Sequence, residues 1–316
     1  IDDITGLQIS QLSGTEQADA AVEPKRDFWP RWMEGVLRVT ADRFQLGSLT
    51  FTPVEAGVIL NPGNMVVKIT RADLCGISVP GLLKISPWTL TFTAEPETAN
   101  SPLDALFSCL MKEPGVVTGN YEIAGNVTAD TLSDGFYRSL DGHMRFTSQS
   151  GRIYRHGILA KILALLNVTE IFRGKLPDVV QKGFGYETIK ITGVFEDGKF
   201  VLREAVIDGS SMTIAFDGHY DLTLQTLDLN VLVAPFKTFD ALIQALPVVN
   251  QVFGGRLISI PFRVEGKWDA SLVRPVAVDE VDANLLNVLN QRLNAESKPS
   301  QPLLPARRTD RHHEHK

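Results

Sequence analysis

Long apolar runs are missing from this sequence. A helix that crosses a bilayer needs roughly 18 to 20 apolar residues in succession, and the longest stretch here, Ile158 to Leu166, is short and interrupted by Lys161. No membrane-crossing helix is predicted. Near Ile1 there is no basic start, apolar run and small-residue cleavage site of the kind that marks a secretory signal, a pattern expected of a fragment or a processed chain. Positive charge is also in short supply. Lys and Arg number 31 against 37 Asp and Glu, for a net charge of −6, and no basic cluster falls inside the region expected to fold. The electrostatic footprint of a nucleic-acid binder is therefore lacking.

Cysteine is scarce, with Cys75 and Cys109 the two in the chain. A bridge between them would suit an oxidising compartment and remove loop-closure entropy worth about 3–4 kcal/mol. Two buried free thiols fit the sequence equally well. Catalytic signatures are missing too: there is no G-x-S-x-G elbow, phosphate-cradling Gly-rich loop, H-E-x-x-H or C-x-x-C. His143, His156 and His219 each stand beside a glycine and read as strand-end or loop residues. His312, His313 and His315 lie in a tail that supplies no second layer of groups to orient a metal ligand. Asn126-Val127-Thr128 and Asn167-Val168-Thr169 match the glycosylation sequon, but the second falls on a predicted helix. Gly183 to Gly185 leads into a strand, so it reads as a turn or bulge rather than a phosphate loop. No enzyme, cofactor or metal is predicted.

What the sequence has is alternation. With 44% apolar residues and 316 residues in all, it can bury a sizeable core. Gly35 to Ala41, Ser48 to Thr52, Met65 to Thr70 and Trp88 to Thr93 read as strands rich in Val, Thr and aromatics. In the second half Met212, Ile214 and Phe216 alternate with small or polar residues. Tyr220, Leu222 and Leu224 follow, then Leu227, Leu229, Val231 and Val233, and finally Ile258, Ile260, Phe262, Val264 and Trp268. Each strand would present one apolar and one wet face, as antiparallel sheets do. Asp197-Gly198, Asp208-Gly209 and Asp217-Gly218 lie about where hairpin turns are needed, so Thr188 to Pro235 is expected to form an up-and-down meander.

Four helices are expected between the strands: Ala105 to Lys112 after an N-cap candidate at Ser101 and Pro102 in the first turn, then His156 to Arg173, Thr238 to Leu246 and Asp279 to Asn294. The last carries Val281, Leu285, Leu289 and Leu293 on one face. The expected organisation is a strand end and linker over 1–27, a β domain over 28–276, an amphipathic helix over 277–295 and a disordered basic tail over 296–316. The fold class is mainly β with a few helices, built on a long curved antiparallel sheet. Four helices are too few to cover so many one-faced strands, which leaves two readings of the apolar face. It is the interior of a β-sandwich, or it is the floor of an open trough that holds acyl chains, since a large bare apolar face is rare in solution. The helix from Ile158 fits either as core or as an interfacial element with Lys161 and Arg173 reaching head groups.

A resemblance bears on that choice. The residues that carry it run in order along the chain: Val66 to Thr70, Arg71-Ala72-Asp73-Leu74-Cys75-Gly76-Ile77 and Pro80-Gly81; then Gly151-Arg152-Ile153, the helix from Ile158 to Phe172 and Phe184-Gly185-Tyr186; then Asp197-Gly198, Asp217-Gly218-His219-Tyr220-Asp221-Leu222 and Ile260-Pro261-Phe262-Arg263-Val264-Glu265-Gly266. Over about Met33 to Pro275 the chain resembles the C-terminal region of AsmA-like proteins, the group that includes AsmA, TamB and YhdP. The resemblance implies a bacterial envelope protein: a periplasmic bridge built on a long β-groove, linked to phospholipid transport and outer-membrane integrity, and tethered to the inner membrane by an N-terminal anchor absent from this sequence. It implies phospholipids as ligands, envelope proteins as partners, and no catalytic residues to transfer. An oxidised Cys75–Cys109 pair would suit such a compartment. The groove floor is then expected to include Met212, Ile214, Phe216, Tyr220, Leu222, Leu224, Leu229, Val231, Val233, Ile258, Ile260, Phe262 and Val264. A scaffold that docks partners through its sheet edges is the main alternative. A closed ligand-binding sandwich and a hydrolase are further ones.

Overall fold

The computed structural model describes residues 33–46, 49–112, 114–130, 135–154, 157–168, 183–210, 212–235, 259–268, 270–277 and 285. The first strands are β1 (Gly35–Ala41), β2 (Phe44–Leu46), β3 (Leu49–Phe51), β4 (Val54–Asn61), β5 (Asn64–Leu74), β6 (Ile77–Ser78), β7 (Gly81–Ile85), β8 (Leu90–Ala94) and β9 (Glu97–Pro102). Helix α1 (Leu103–Leu110) leads to β10 (Val117–Ala129) and β11 (Asp141–Ile153), and helix α2 (Gly157–Val168) precedes β12 (Phe184–Glu196). The chain continues through β13 (Lys199–Gly209), β14 (Met212–Asp221), β15 (Thr226–Pro235), β16 (Ile260–Lys267) and β17 (Leu272–Pro275).

Fifteen of these strands form one antiparallel sheet, and β2 and β3 form a separate hairpin. From β10 to β17 each strand pairs with the next in sequence, which is the expected meander in extended form. Local alternation dictates this, because consecutive one-faced strands bury their apolar sides together only if they share a register. Ile189, Ile207, Ile214, Val233 and Ile260 stand in one cross-strand row, and Ile191, Ala205, Phe216, Val231 and Phe262 in the next. The face that carries these rows is the inner face. Helices α1 and α2 pack on it, with Leu103, Leu106, Ile162 and Leu166 in the same buried cluster as the strand residues. The opposite, outer face of β15 and β16 is polar: Arg263 pairs with Asp228 and donates to Asn230 at 2.7 Å. Near the ends of β13 to β15 the outer face has a smaller core of Val206, Ala215, Leu232 and Ala234 against Leu285.

The two rims of the sheet differ. At one, the connections are short turns over 62–63, 86–89, 197–198, 222–225 and 268–271, with the longer link 130–140 containing a 3-10 turn at Tyr137–Ser139. At the other, the chain leaves β9 for α1 and β11 for α2, and both helices pack on the inner face. We call these the turn rim and the helix rim. Lys161 of α2 donates to the Ser271 carbonyl at 2.6 Å, which fastens the helix to the β16–β17 connection.

Several local expectations are corrected. Of the three Asp-Gly pairs in the meander, Asp197-Gly198 forms the hairpin turn, with both φ values positive as a two-residue turn requires. Asp208-Gly209 ends β13, where the buried Asp208 accepts hydrogen bonds from Thr188 and Thr213. Asp217-Gly218 lies inside β14, and Gly218 is needed there for another reason. At φ +124° its missing Cβ would run into the Asp228 carbonyl of β15. Gly142 makes an equally close approach to Asn126 across β10 and β11. Such close strand contacts are where a sheet bends, which fits its curved form. Pro102 is the N-cap of α1, one position later than expected. The helices expected over Thr238 to Leu246 and Asp279 to Asn294 lie outside the described residues, apart from Leu285.

Candidate functional site

The inner face divides into a capped and an uncapped part. From β10 to β17 it is capped, and α2 reaches as far as the 268–271 connection through Lys161. Met212, Ile214, Val231, Val233, Phe262 and Val264 are fully buried, in one cluster with Ile162 and Leu166 of α2. Leu229 is buried there too, while Phe216, Tyr220 and Ile260 are half-buried at the edge of the same cluster. Ten of the thirteen residues expected on the groove floor are thus brought together, and seven of these ten are sealed by the chain itself. Leu222 and Leu224 are not on the floor. They sit in the 222–225 turn, where Asp221 accepts from the backbone N–H of Thr223 and Leu224, and Leu224 points away from the sheet with 66% of its surface exposed. The apolar alternation through Tyr220, Leu222 and Leu224 is interrupted because the hairpin must close there. Ile258 lies outside the described residues.

The uncapped part is carried by the earlier strands. Register transmits the inner face from β10 to β8 through Val127 opposite Ala94 and Ala129 opposite Phe92. It continues through Leu83 of β7 to Val67 of β5, Val58 of β4 and Leu37 of β1. Around this row stand Met65, Ile69, Ile85 and Leu90, all half-buried. At the sheet edge Leu37 is 54% exposed. No residue of β1, β4, β7 or β8 belongs to either buried cluster among the described residues. The inner face of these strands is therefore an apolar surface on which neither described helix packs. Ala56, Val58 and Ala94 on this face are nonetheless buried, and the residues around them are half-buried. The alternation of Met65 to Thr70 and Leu90 to Thr93 announced these strands, but nothing local showed that α1 and α2 would pack on the later strands and not on these.

A disulfide marks the boundary between the two parts. Cys75, just after β5, is bonded to Cys109 in the last turn of α1, with the Cα atoms 5.7 Å apart. The bridge holds the capping helix against the strand at which the uncapped face ends. Polar groups inside the capped part are matched. The Tyr186 hydroxyl donates to the Thr118 carbonyl at 2.6 Å and contacts Ser148 Oγ at 2.7 Å, and Ser148 in turn donates to the Asn120 carbonyl. Burial raises the Tyr186 phenol above its ordinary value, opposed by the bond to Ser148. Tyr121 is raised by burial and then by the nearby Asp73, opposed by a bond to Thr98. Tyr220, near the turn rim, is raised by burial and then by Tyr137 and Asp221. Tyr186 and Tyr121 are thus hydrogen-bonded phenols in an apolar setting.

Among the described residues no group of His, Cys, Asp and Glu is arranged to hold a metal ion, and no helix is long and apolar enough to cross a membrane. Chemically, the arrangement offers an apolar surface, bounded on one side by a pinned helical cap, with charges confined to its rims and back.

A family model described as YhdP protein matches residues 98–273, which covers β10 to β16 with the helical cap and leaves the uncapped strands β1, β4, β5, β7 and β8 before it. No curated protein and no solved structure matches the chain.

Proposed function

The chain belongs to the YhdP family, within the AsmA/YhdP/TamB group of envelope proteins, and on that premise we propose that it is a non-enzymatic lipid-transport protein. Phospholipid acyl chains lie on the uncapped inner face, and the capped part closes that trough at its C-terminal end. Its setting is the periplasm, at the inner membrane, and its role is to support outer-membrane biogenesis and integrity.

The observation that carries this reading is the change in cover along one continuous apolar face. A sandwich interior would be covered throughout. Here Leu37, Val58, Val67, Leu83 and Phe92 extend the row beyond the helices to the sheet edge. An apolar surface in water gains about 25 cal/mol for each Å² covered, and an acyl chain covers it without removing the phosphate from water. The expected floor therefore moves: the residues of β14 to β16 act chiefly as core beneath the cap, and those of β4, β5, β7 and β8 meet the lipid. Mass spectrometry of organic extracts from the chain purified without detergent tests this. Phospholipid is expected from the parent and is expected to disappear in Val67→Glu; a lipid-free, folded parent would refute the reading.

One observation favours a scaffold role as well. Among the described residues β1 is paired only on its β4 side, with Val36 76% exposed, so a partner strand could add there. Such docking would be lost in Val36→Pro and kept in Val67→Glu.

A further inference from the structure

The back of the sheet carries an apolar patch that the trough does not require. Outward positions alternate with inward ones along each strand, so with an apolar inner face the outer positions of β13 to β15 are expected to be wet. Near the helix rim they are dry. Val206, Ala215, Leu232 and Ala234 are each at most 2% exposed, and Thr213 beside them is fully buried with its hydroxyl bonded to Asp208. Toward the turn rim the same face turns polar, with Asp217 and Asp228 half-buried. Strands that are dry on both sides need a cover on each. Helices α1 and α2 supply it on the inner face, and neither belongs to the cluster at the back.

Leu285 points to what the outer cover is made of. It is helical and 2% exposed, and it packs in one cluster with the patch and Val276. Of residues 278–316 the structure describes this one alone. After β17 the Val276 N–H donates to the Pro261 carbonyl at 3.1 Å, which holds the chain beside β16 at the edge of the patch. From β16 to β14 is two strand spacings, about 10 Å, and the nine positions from Val276 to Leu285 span about 14 Å even as a helix. Reach is no obstacle. In helical geometry Val281 and Leu289 stand one turn either side of Leu285 on the same face, with Asn287 and Asn290 on the opposite one. We propose that the outer patch of β13 to β15 is a helix-docking site whose occupant is the chain's own segment 279–293, seated through Val281, Leu285 and Leu289. The capped part then has three layers, and the residues after 294 depart from the back of the sheet, opposite the inner face. This inference goes beyond the trough reading and does not depend on it.

Thiol labelling of the full chain tests the docking. The two native cysteines are bonded to each other, so an introduced cysteine is the only free thiol. Ala215→Cys places it in the outer patch, and Ala205→Cys places it on the inner face of the adjacent strand. A small maleimide at neutral pH should react slowly with both. Leu285→Asp with Leu289→Asp puts charge into the seat, and should speed labelling at position 215 by about tenfold or more while position 205 stays protected. Asn287→Asp with Asn290→Asp adds the same charge on the far side of the segment and should change neither rate. Unchanged protection at 215 in the Leu285→Asp, Leu289→Asp protein would overturn the inference, since the cover would then come from elsewhere. Equal acceleration at 215 and 205 would overturn it as well, because the segment would then support the whole sheet instead of covering one face. Protection at 215 that grows with protein concentration would assign the seat to the segment of a second copy, against the proposal.

Discussion

The phenol of Tyr186 lies across Gly151 of the neighbouring strand, in the space that a β-carbon on that glycine would occupy. From there its hydroxyl reaches over β11 to the Thr118 carbonyl of β10. One side chain thus ties three strands together at the point where β10, β11 and β12 depart from regular register. Ser148 is buried but Thr118 is exposed, so its carbonyl can turn to water when the hydroxyl is removed, and Tyr186→Phe should cost about 0.5–1.5 kcal/mol. Gly151→Ala should cost more, because the added methyl meets the Thr118 carbonyl as well as the ring. Urea denaturation of both variants checks the order, which would be reversed if the glycine were only a flexible link.

The disulfide should matter more to the cap than to the sheet. Cys75→Ala with Cys109→Ala opens a link spanning 34 positions in sequence, for an expected loss of about 2–5 kcal/mol. Hydrogen exchange should show the loss concentrated in α1, with amides of β12 to β15 protected as before. Uniform loss across the sheet would mean that the bridge does not act through the helix.

Strongly alkaline pH should weaken the fold through its buried phenols. Tyr121, Tyr186 and Tyr220 all have folded pKa values raised above the ordinary value, chiefly by burial. A raised tyrosine holds its proton more tightly when folded, so its contribution is complete below the unfolded value of about 10 and is lost as pH rises through and beyond it. Urea midpoints should therefore be flat near neutral pH and fall above about pH 10. Tyr186→Phe should reduce the slope of that fall.

Charge on the two parts of the inner face should have opposite consequences. Ile214→Asp places an unpaired charge in a fully buried position, and the penalty of several kcal/mol is comparable with the whole stability of a domain. Loss of folding is expected. Val67→Glu changes a half-buried residue that can reach water, so the far-ultraviolet circular dichroism should be retained while lipid is lost. Thr91→Glu, exposed on the outer side of β8 opposite Lys84, should keep both.

These contrasts also show what the sequence could reveal. Period-two alternation placed β14 to β16 and their shared face correctly, because register follows from which side must be buried. It failed at Leu222 and Leu224, where an apolar pattern runs on into a turn closed by Asp221. It was also obscured in β12, where Phe184 and Tyr186 fall out of phase with Ile189 and Ile191 across the irregularity at Glu187. Asp-Gly marked a turn at Asp197 but not at Asp217, since glycine serves equally where two strands approach closely. The helical cap depends on contacts far apart in the chain, such as Lys161 with Ser271, which no local pattern encodes. For that reason alternation alone points to the later strands as the floor, where the helices instead make them core.

The most direct test of the central claim uses two adjacent residues of β7 that face opposite sides. Leu83 opposes Val67 on the inner face, and Leu82 opposes Lys68 on the outer face. A photoreactive benzoylphenylalanine is placed at one position or the other and irradiated in bacterial cells expressing the chain, and the purified protein is analysed for phospholipid adducts by mass spectrometry. Adducts at position 83 with none at position 82 are predicted. Equal labelling at both positions, or labelling at 82 alone, would contradict an acyl-chain trough on the inner face.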